Sequence, residues 1–208
     1  MPTRPTYDVG VHSDHHSLWI NPNNSKHFYL AGDAGLHETW DYGKSYNRLN
    51  NIPIGQFYGI GVDMDSPYNI YGGMQDNHSW VGPSSTRHWL GILSDDWRQI
   101  GFGDGMYQQP DPNSSILYNA TQNGNIVRID RKTGNIQGIK PFSSDPDDMN
   151  RYDWVTPIMI SKQSSKRVYL GGNRLFISND SGVSWSKTKD LTKKTNRESL
   201  SIMGVLNI

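Results

Sequence analysis

The sequence contains no cysteine, no excess of either charge and no long hydrophobic run. Without cysteine, disulfide bridges and thiolate metal sites are excluded. The 208-residue chain has 20 basic and 20 acidic residues, so nothing indicates a polyanion-binding surface and we expect no nucleic-acid partner. No apolar run approaches the roughly 18 residues that a membrane helix needs, so we expect no membrane span.

The first eight residues also lack the apolar core of a secretory signal peptide. The sequence therefore leaves the compartment open: the protein is cytoplasmic, or the chain is an internal piece of a longer exported protein. No glycine-rich phosphate loop leads from a strand into a helix, and we expect no cofactor.

The chain is rich in turn formers and aromatic residues, with 21 Gly, 11 Pro, 7 Trp and 11 Tyr against only 19% charged residues. This profile is typical of many short strands joined by turns. A chain of this length can bury a substantial core. We therefore expect one large all-β domain.

A short β-prone stretch that ends in tyrosine occurs four times, at Tyr29, Tyr71, Tyr118 and Tyr169. The spacings between these tyrosines are 42, 47 and 51 residues, which is the period of a four-stranded propeller blade. A strand candidate and a turn-rich link precede each stretch, and a corner follows it. The candidates for the first strand of each unit are 18–20, 58–62, 105–109 and 156–160.

The repeat predicts an all-β fold of four four-stranded antiparallel β-propeller blades in a single partial domain over residues 1–208. The predicted blades are 17–50, 56–100, 104–141 and 154–192, and 193–208 is the start of a further unit or a tail. Four blades is the smallest number that closes a ring, so we expect an incomplete or fragmentary propeller. A β-sandwich with accidental tyrosine spacing is the alternative.

Two stretches, 39–46 and 178–185, fit the pattern Ser/Thr-x-Asp-x-Gly-x-Ser/Thr-aromatic, the Asp-box. The Asp can accept backbone N–H groups of a tight turn, the Gly tolerates positive φ, and the aromatic can cover the hairpin. We expect these turns to be structural and to join the third and fourth strands of a blade. Their defining residues are Asp41, Gly43 and Tyr46 in one copy and Asp180, Gly182 and Trp185 in the other.

Asp-box blades occur in sialidases, in family 74 xyloglucan-active glycoside hydrolases and in the sortilin-type receptor propeller. The chain most resembles the bacterial repeat proteins (BNR-type) called sortilin-like or glycosyl-hydrolase-like. The stretches that carry the resemblance are 14–20, 51–58, 71–77 and 171–174. The resemblance implies an extracellular or periplasmic parent protein, with further blades or a second propeller as partners.

The resemblance implies kinship of fold without identifying a reaction. Family 74 enzymes place one catalytic Asp on each of two propellers, and neither position can be matched here. The sialidase Arg triad and Tyr nucleophile have no counterpart, since Arg174 alone is not a triad.

Propeller geometry brings the loops before the innermost strands and the corners after the second strands to one face around the axis. Amides, carboxylates and aromatic rings there suit a glycan or peptide ligand, because planar polar groups form hydrogen bonds and rings stack. The candidate ligand-binding residues are His15, His16, Gln56, Tyr58, Gln75, Asp76, Asn77, Asp104, Trp154, Asn173 and Arg174. The alternative is that these groups cap strand ends and line a water-filled channel.

Carboxylates on the same face also raise a glycosidase hypothesis. An inverting glycosidase needs two of them about 6.5–9.5 Å apart, one with a raised pKa. The candidate catalytic acids are Asp33, Asp76 and Asp104, which all map to this face.

One local cluster has metal-ligand chemistry. In an extended segment His12, Asp14 and His16 project to one side, since strand side chains alternate. Two imidazoles and a carboxylate can bind Zn²⁺ or another divalent metal. Ligands so close in sequence are rarely a complete site, so we expect no metal and hydrogen-bonded loop histidines instead.

The leading functional prediction is therefore a binding scaffold that presents a polar and aromatic axial face to a glycan or peptide. A glycoside hydrolase, or a fragment of one, is the second hypothesis. A structural module that docks other blades is the third.

Overall fold

The fold is all-β in a computed structural model of the chain, which describes residues 10–49 and 55–192. Sixteen strands in these residues form four four-stranded antiparallel sheets, and each sheet uses four strands consecutive in the chain. The helical segments within these ranges are three 3-10 turns, Ser94–Asp96, Gln122–Gly124 and Pro146–Asp148. Each sheet is a propeller blade, so the predicted fold class is confirmed.

The four blades follow one another along the chain. Blade 1 consists of β1 (His15–Ile20), β2 (Phe28–Gly32), β3 (Gly35–Thr39) and β4 (Asn47–Arg48). Blade 2 consists of β5 (Phe57–Val62), β6 (Asn69–Met74), β7 (Ser79–Pro83) and β8 (Arg98–Gly101). Blade 3 consists of β9 (Gly105–Pro110), β10 (Ile116–Thr121), β11 (Ile126–Asp130) and β12 (Ile136–Gly138). Blade 4 consists of β13 (Ile158–Ser161), β14 (Ser164–Gly171), β15 (Leu175–Ser178) and β16 (Ser186–Lys187).

The strand candidates match the observed first strands with small shifts. Strand β1 begins three residues earlier than predicted, at His15. Strand β13 begins two residues later than predicted, at Ile158, because Thr156 Oγ1 closes a turn onto Asp153 O at 2.8 Å and Pro157 has no N–H for the ladder. The predicted unit at 193–208 lies outside the described residues. Within the described ranges no helix is long and apolar enough to cross a membrane.

Blades 2, 3 and 4 pack face to face around their first strands, since β9 contacts both β5 and β13. Tyr71 and Val81 of blade 2 are buried against Leu117 and Ile129 of blade 3. A larger buried cluster joins blades 3 and 4 and comprises Met106, Tyr118, Ala120, Ile126, Ile139, Tyr152, Ile158, Val168, Leu170 and Phe176. Apolar burial therefore holds these three blades together.

A buried ion pair also links blade 2 to blade 3. The Asp63 carboxylate, only 1% exposed, accepts from Arg131 Nη1 at 2.8 Å and from the Tyr71 hydroxyl at 2.9 Å. The backbone and side-chain N–H groups of Asn69 donate to it as well, each at 2.8 Å. Burial by itself raises the pKa of Asp63, but these hydrogen bonds outweigh it and the pKa lies below its ordinary value.

An equivalent acid follows the first strand of blade 3. The buried Asp111 carboxylate accepts from Ser165 Oγ of blade 4 at 2.9 Å and from Ser114 Oγ at 2.5 Å. Each joint among blades 2, 3 and 4 therefore combines an apolar core with a buried acid from the link after a first strand.

Blade 1 is packed differently. All six residues of β1 are exposed, and neither buried hydrophobic cluster of the described residues includes a residue from this blade. Its rings pack on one another instead: His27 stacks on Trp40 at 3.6 Å between centroids, and Tyr29 and His27 both hydrogen-bond Glu38.

The two turns at 39–46 and 178–185 have the same hydrogen bonds. Asp41 Oδ1 accepts from the Ser45 N–H at 2.9 Å, and Asp180 Oδ1 accepts from the Ser184 N–H at 2.9 Å. Gly43 and Gly182, which lie between the Asp and the Ser of each turn, have φ of +80° and +85°, respectively. Hydrogen bonds from the Ser hydroxyl and N–H lower the pKa of each Asp to about 2.

These turns lie between β3 and β4 and between β15 and β16, where the pattern predicts them. The closing aromatics pack in different directions. A Cβ on Gly43 would lie 2.7 Å from the Tyr46 hydroxyl, so Tyr46 covers its turn. Trp185 Nε1 instead donates to Ile139 O, just after β12 of blade 3, at 2.9 Å.

Candidate functional site

Residues from all four blades meet at the face where the first strands begin. In blade 1, Asp33 N donates to Asp14 O at 3.2 Å, and the side chains of His16 and Asp33 hydrogen-bond at 2.6 Å (Nε2 to Oδ1). The Asn77 amide of blade 2 donates to Asp33 O at 3.0 Å. The corner after β2 is thereby tied to the corner after β6.

The corner of blade 2 is also tied to its own first strand. Gln56 Nε2 donates to Gln75 Oε1 at 2.7 Å, and Gln75 N donates to Gln56 O at 3.1 Å. Asp76 follows with φ of +58°, a left-handed conformation that Asp and Asn adopt more readily than most residues. This conformation turns the chain back toward β7.

Blade 3 continues the series of contacts. His78 N donates to Gly103 O at 3.1 Å, next to the buried Asp104. A Cβ on Gly103 would lie 2.7 Å from Gln122 Oε1, so the loop before β9 passes close to the corner after β10.

Blade 4 closes the series. Asn123 N donates to Trp154 O at 3.2 Å, and Trp154 Nε1 donates to the Tyr58 hydroxyl at 3.2 Å. Tyr58 lies in β5, so the contacts run from blade 2 through blades 3 and 4 and return to blade 2. The indole remains 45% exposed and can contact a ligand. We call the following residues the axial cluster: Asp14, His16, Asp33, Gln56, Tyr58, Gln75, Asp76, Asn77, Asp104, Gln122 and Trp154.

Asp76 is the electrostatic centre of this cluster. Its pKa is raised to about 6, first by burial, then by the negative charges of Asp104 and Asp33 and by a hydrogen bond with Asp33; Asp14 contributes further. Acids of blades 1 and 3 therefore act on the carboxyl of Asp76 in blade 2. The carboxyl of Asp76 changes charge within the pH range in which proteins work.

The hydrogen bond between Asp76 and Asp33 bears on the paired-acid hypothesis. Directly hydrogen-bonded carboxyl groups are closer than the ~5 Å separation of a retaining glycosidase or the wider spacing of an inverting one. Asp76 with Asp104 and Asp33 with Asp104 are the remaining pairs for glycosidase chemistry; only the first includes the acid with the raised pKa.

Two candidate ligand-binding residues of blade 4 have their polar groups engaged elsewhere. Asn173 is buried: its amide donates to Asp190 at 2.9 Å and to Met149 O at 3.2 Å, and its Oδ1 accepts from Arg151 N. Arg174 donates to Thr188 O at 3.0 Å and pairs with Asp148. These bonds hold the loop at 145–152 onto blade 4, so we leave both residues out of the axial cluster.

The histidines near the start of blade 1 do not form the metal triad considered from sequence. Asp14 has φ of +65° and β1 has a bulge between His15 and Ser17, so the alternation that would align His12, Asp14 and His16 is broken. His12 Nδ1 lies 2.7 Å from Ser13 O, and His16 bonds Asp33. The described residues contain no group of three metal-ligating side chains. His15 is exposed opposite Gly32.

Asp14 was a weak metal candidate in the sequence, which also places it in the loop before the first strand on the axial face. An Asp stands shortly before the first strand of blades 3 and 4 as well, at Asp104 and Asp153. In the structure the charge of Asp14 contributes to the raised pKa of Asp76.

No protein-family model and no curated protein matches the chain. Similar solved structures include YCF48 bound to D1 peptide, at 14% identity and a TM-score of 0.46. A second is the GH74 xyloglucanase from Xanthomonas campestris, at 15% identity and a TM-score of 0.45. A third is the extracellular domain of the one-component system BT4673 from B. thetaiotaomicron, at 13% identity and a TM-score of 0.47. The matches cover 91%, 84% and 90% of this chain but 57%, 30% and 24% of those chains, so it spans less than two thirds of each.

Proposed function

We propose that the chain is a ligand-binding β-propeller scaffold whose axial cluster binds a glycan or a peptide. The observation that carries the proposal is the continuous series of contacts through which blades 1 to 4 bring amides, carboxyls and two aromatic rings to one face. We also assign the chain to the Asp-box propellers of the sortilin-like or glycosyl-hydrolase-like group. The two matching turns support that assignment.

The chemistry of the cluster suits hydroxyl and amide groups. Gln56 and Gln75 offer both donors and acceptors, and the acids accept from hydroxyl or N–H groups of a ligand. The exposed face of Trp154 can stack on a sugar ring or a peptide side chain. Protonation of Asp76 near pH 6 would convert one acceptor into a donor, so we expect affinity to depend on pH in this range.

Binding can be tested by titrating the purified chain with a panel of oligosaccharides and short peptides and measuring the binding by calorimetry and NMR. We expect Trp154→Ala to weaken binding about tenfold or more, because it removes the exposed stacking surface. Trp89→Ala is the matched control, since Trp89 is 86% exposed and outside the axial cluster. Equal affinity of the two variants, or no saturable binding by any member of the panel, would contradict the proposal.

Glycoside hydrolysis is the second candidate, and the raised pKa of Asp76 is the observation that favours it. In this hypothesis Asp76 is the general acid and Asp104 the partner carboxylate. The test is release of reducing ends from polysaccharides such as xyloglucan, with Asp76→Asn and Asp104→Asn as variants. Hydrolysis that survives in both variants, or none in the native chain, rejects it.

A docking role remains the third proposal and rests on blade 1. Leu18, Trp19 and Ile20 of β1 are each at least half exposed. Further blades or a second propeller would cover such a surface. Light scattering after size exclusion tests this, because a strictly monomeric chain would count against it.

A further inference from the structure

A cleft of about 390 Å³ opens between the outer strands of blades 3 and 4, separate from the axial cluster. Its walls come from the segment that begins at Gln137 of β12 and runs through Phe142, and from the 182–187 turn and strand of blade 4. Asn150 and Phe176 complete the lining. The volume lies within the ~300–1,000 Å³ range of small-molecule sites.

Hydrogen bonds fix the two walls relative to each other. Arg128 donates to Ser181 O of blade 4 at 3.0 Å and to Gln137 Oε1 of its own blade at 2.5 Å. Trp185 Nε1 donates to Ile139 O at 2.9 Å. A Cβ on Gly182 would lie 2.6 Å from Ile139 Cδ1, so the walls touch at the base of the cleft. The cleft is therefore preformed, which lowers the entropic cost of binding.

The rim of the cleft carries apolar side chains that nothing in the described residues covers. The ring of Phe142 is 88% exposed and Val183 is 63% exposed. Beside them the indole of Trp185 is partly buried against the core of blades 3 and 4. These groups form a stacking surface for the apolar face of a flat or ring-shaped ligand.

The polar groups of the cleft favour a ligand with hydroxyls. Asn150 Nδ2 donates to Pro141 O at 3.3 Å, whereas Asn150 Oδ1 is buried with no hydrogen-bond partner among the described residues. A buried acceptor of this kind needs a donor, and a ligand hydroxyl would supply one. Ser184 donates its proton to Asp180, so its oxygen can only accept from a ligand.

The two lysines that line the cleft are already held by other protein groups. Lys187 Nζ is paired with Asp148 at 2.5 Å. Lys140 Nζ donates to Asn123 O at 2.9 Å and lies over the ring of Tyr152, 5.0 Å from its centroid. Both lysines are therefore engaged by protein groups: Lys187 by an acid, and Lys140 by Asn123 O and by Asn125 Oδ1 at 3.3 Å. A neutral ligand, which needs no lysine donor, fits the cleft as it stands. A purely apolar ligand would leave Asn150 Oδ1 unpaired.

We propose that this cleft is a second binding site, specific for a neutral pyranose sugar, alone or at the end of a glycan. The sugar would stack its apolar face on Phe142 and donate a hydroxyl to Asn150 Oδ1. This site stands on its own residues and does not depend on the function proposed for the axial cluster.

The test is titration of the purified chain with glucose, galactose, N-acetylglucosamine, cellobiose and lactose, followed by ¹⁵N–¹H NMR. We expect saturable shifts of Gly138, Phe142 and Ser184 amides for at least one sugar. Phe142→Ala and Asn150→Leu should each weaken that binding about tenfold. Phe142 is too exposed to matter for folding, so its variant remains interpretable even where Asn150→Leu destabilises the chain.

Two controls separate this site from the axial cluster. Trp89→Ala and Trp154→Ala should both leave the cleft affinity unchanged, because neither residue lines the cleft. The proposal is overturned by absence of saturable shifts for every sugar, by unchanged affinity in Phe142→Ala, or by loss of the shifts in Trp154→Ala.

Discussion

The indole of Trp154 donates a hydrogen bond to the hydroxyl of Tyr58 at 3.2 Å, although 96 residues separate the two in sequence. Tyr58 lies in the first strand of blade 2, and Trp154 lies in the loop before the first strand of blade 4. Their contact spans blade 3 and joins the second blade to the fourth. It also sets the orientation of the exposed ring that we propose for ligand stacking.

Tyr58→Phe should release the indole of Trp154 without unfolding the chain. The bond is partly exposed, so we expect a loss of at most about 1 kcal/mol in the free energy of unfolding. The indole N–H resonance of Trp154 in a ¹⁵N–¹H spectrum should shift as it exchanges Tyr58 for water. Tyr42→Phe, which changes another exposed tyrosine, is the control. An unmoved Trp154 resonance would mean that the contact does not persist in solution.

Asp76→Asn should make the chain more stable at neutral pH than the native protein. The pKa of Asp76 is about 6 in the folded state and near 3.8 in the unfolded state, so the folded state binds the proton more tightly. Its contribution to stability is complete below pH ~3.8 and is lost as the pH rises through about 6. We expect a gain of about 1–2 kcal/mol at pH 7.5, less than the full shift implies because the carboxyl is partly solvated.

Urea unfolding at pH 4 and pH 7.5 measures this difference. The stability gained by Asp76→Asn should shrink toward pH 4, because the native carboxyl is largely protonated there. The substitution should not strain the backbone, since Asn tolerates the positive φ of this position. Asp95→Asn, on the exposed 3-10 turn of blade 2, is the control for loss of a carboxyl outside the axial cluster. The same pH profile in both variants would exclude Asp76 as its source.

Arg131→Met should destabilise the joint between blades 2 and 3. It leaves the buried Asp63 carboxylate without its cation, which costs about 3 kcal/mol or more. Adding Asp63→Asn should recover part of that loss, because the second change removes the uncompensated charge. Arg98→Met is the control, since Arg98 is exposed beside the same joint. Equal losses for Arg131→Met and Arg98→Met in urea unfolding would show that the ion pair contributes nothing.

Ser178→Ala should lower stability by about 1–3 kcal/mol. The fully buried hydroxyl of Ser178 accepts from Gly182 N at 2.7 Å and donates to Asp180 at 2.7 Å, so its removal leaves a buried N–H unpaired. Ser178→Thr should be close to neutral, because Thr39 makes the same two hydrogen bonds in blade 1. Comparable losses in the two variants would trace the effect to packing rather than to the hydroxyl.

The repeat in the sequence was sufficient to predict the blades. It also predicted that Asp33, Asp76 and Asp104 lie on the same face. A regular period places equivalent corners at one face, so residues 28 to 71 positions apart converge without any knowledge of packing. The two turns around Asp41 and Asp180 were predictable because their hydrogen bonds are local.

Other features depend on contacts that the period does not encode. Asn173 occupies an equivalent corner, yet the loop at 145–152 takes its polar groups for internal hydrogen bonds. Asp14 left the expected alignment because of one left-handed φ. The cleft beside Phe142 arises from how blades 3 and 4 meet, and no signal in the sequence marks it.

The weak attachment of blade 1 has a dynamic consequence. Its described contacts with blade 2 include the Asn77–Asp33 hydrogen bond, while blades 2, 3 and 4 share buried apolar clusters. Local unfolding should therefore begin at this joint, and amide hydrogens of β2 should exchange with solvent faster than those of β10. Because Asp33 belongs to blade 1, each such opening also separates Asp33 from Asp76 and disrupts the axial cluster. A ligand bound at the axial cluster should therefore slow hydrogen exchange in blade 1, and the slowing should increase with ligand occupancy.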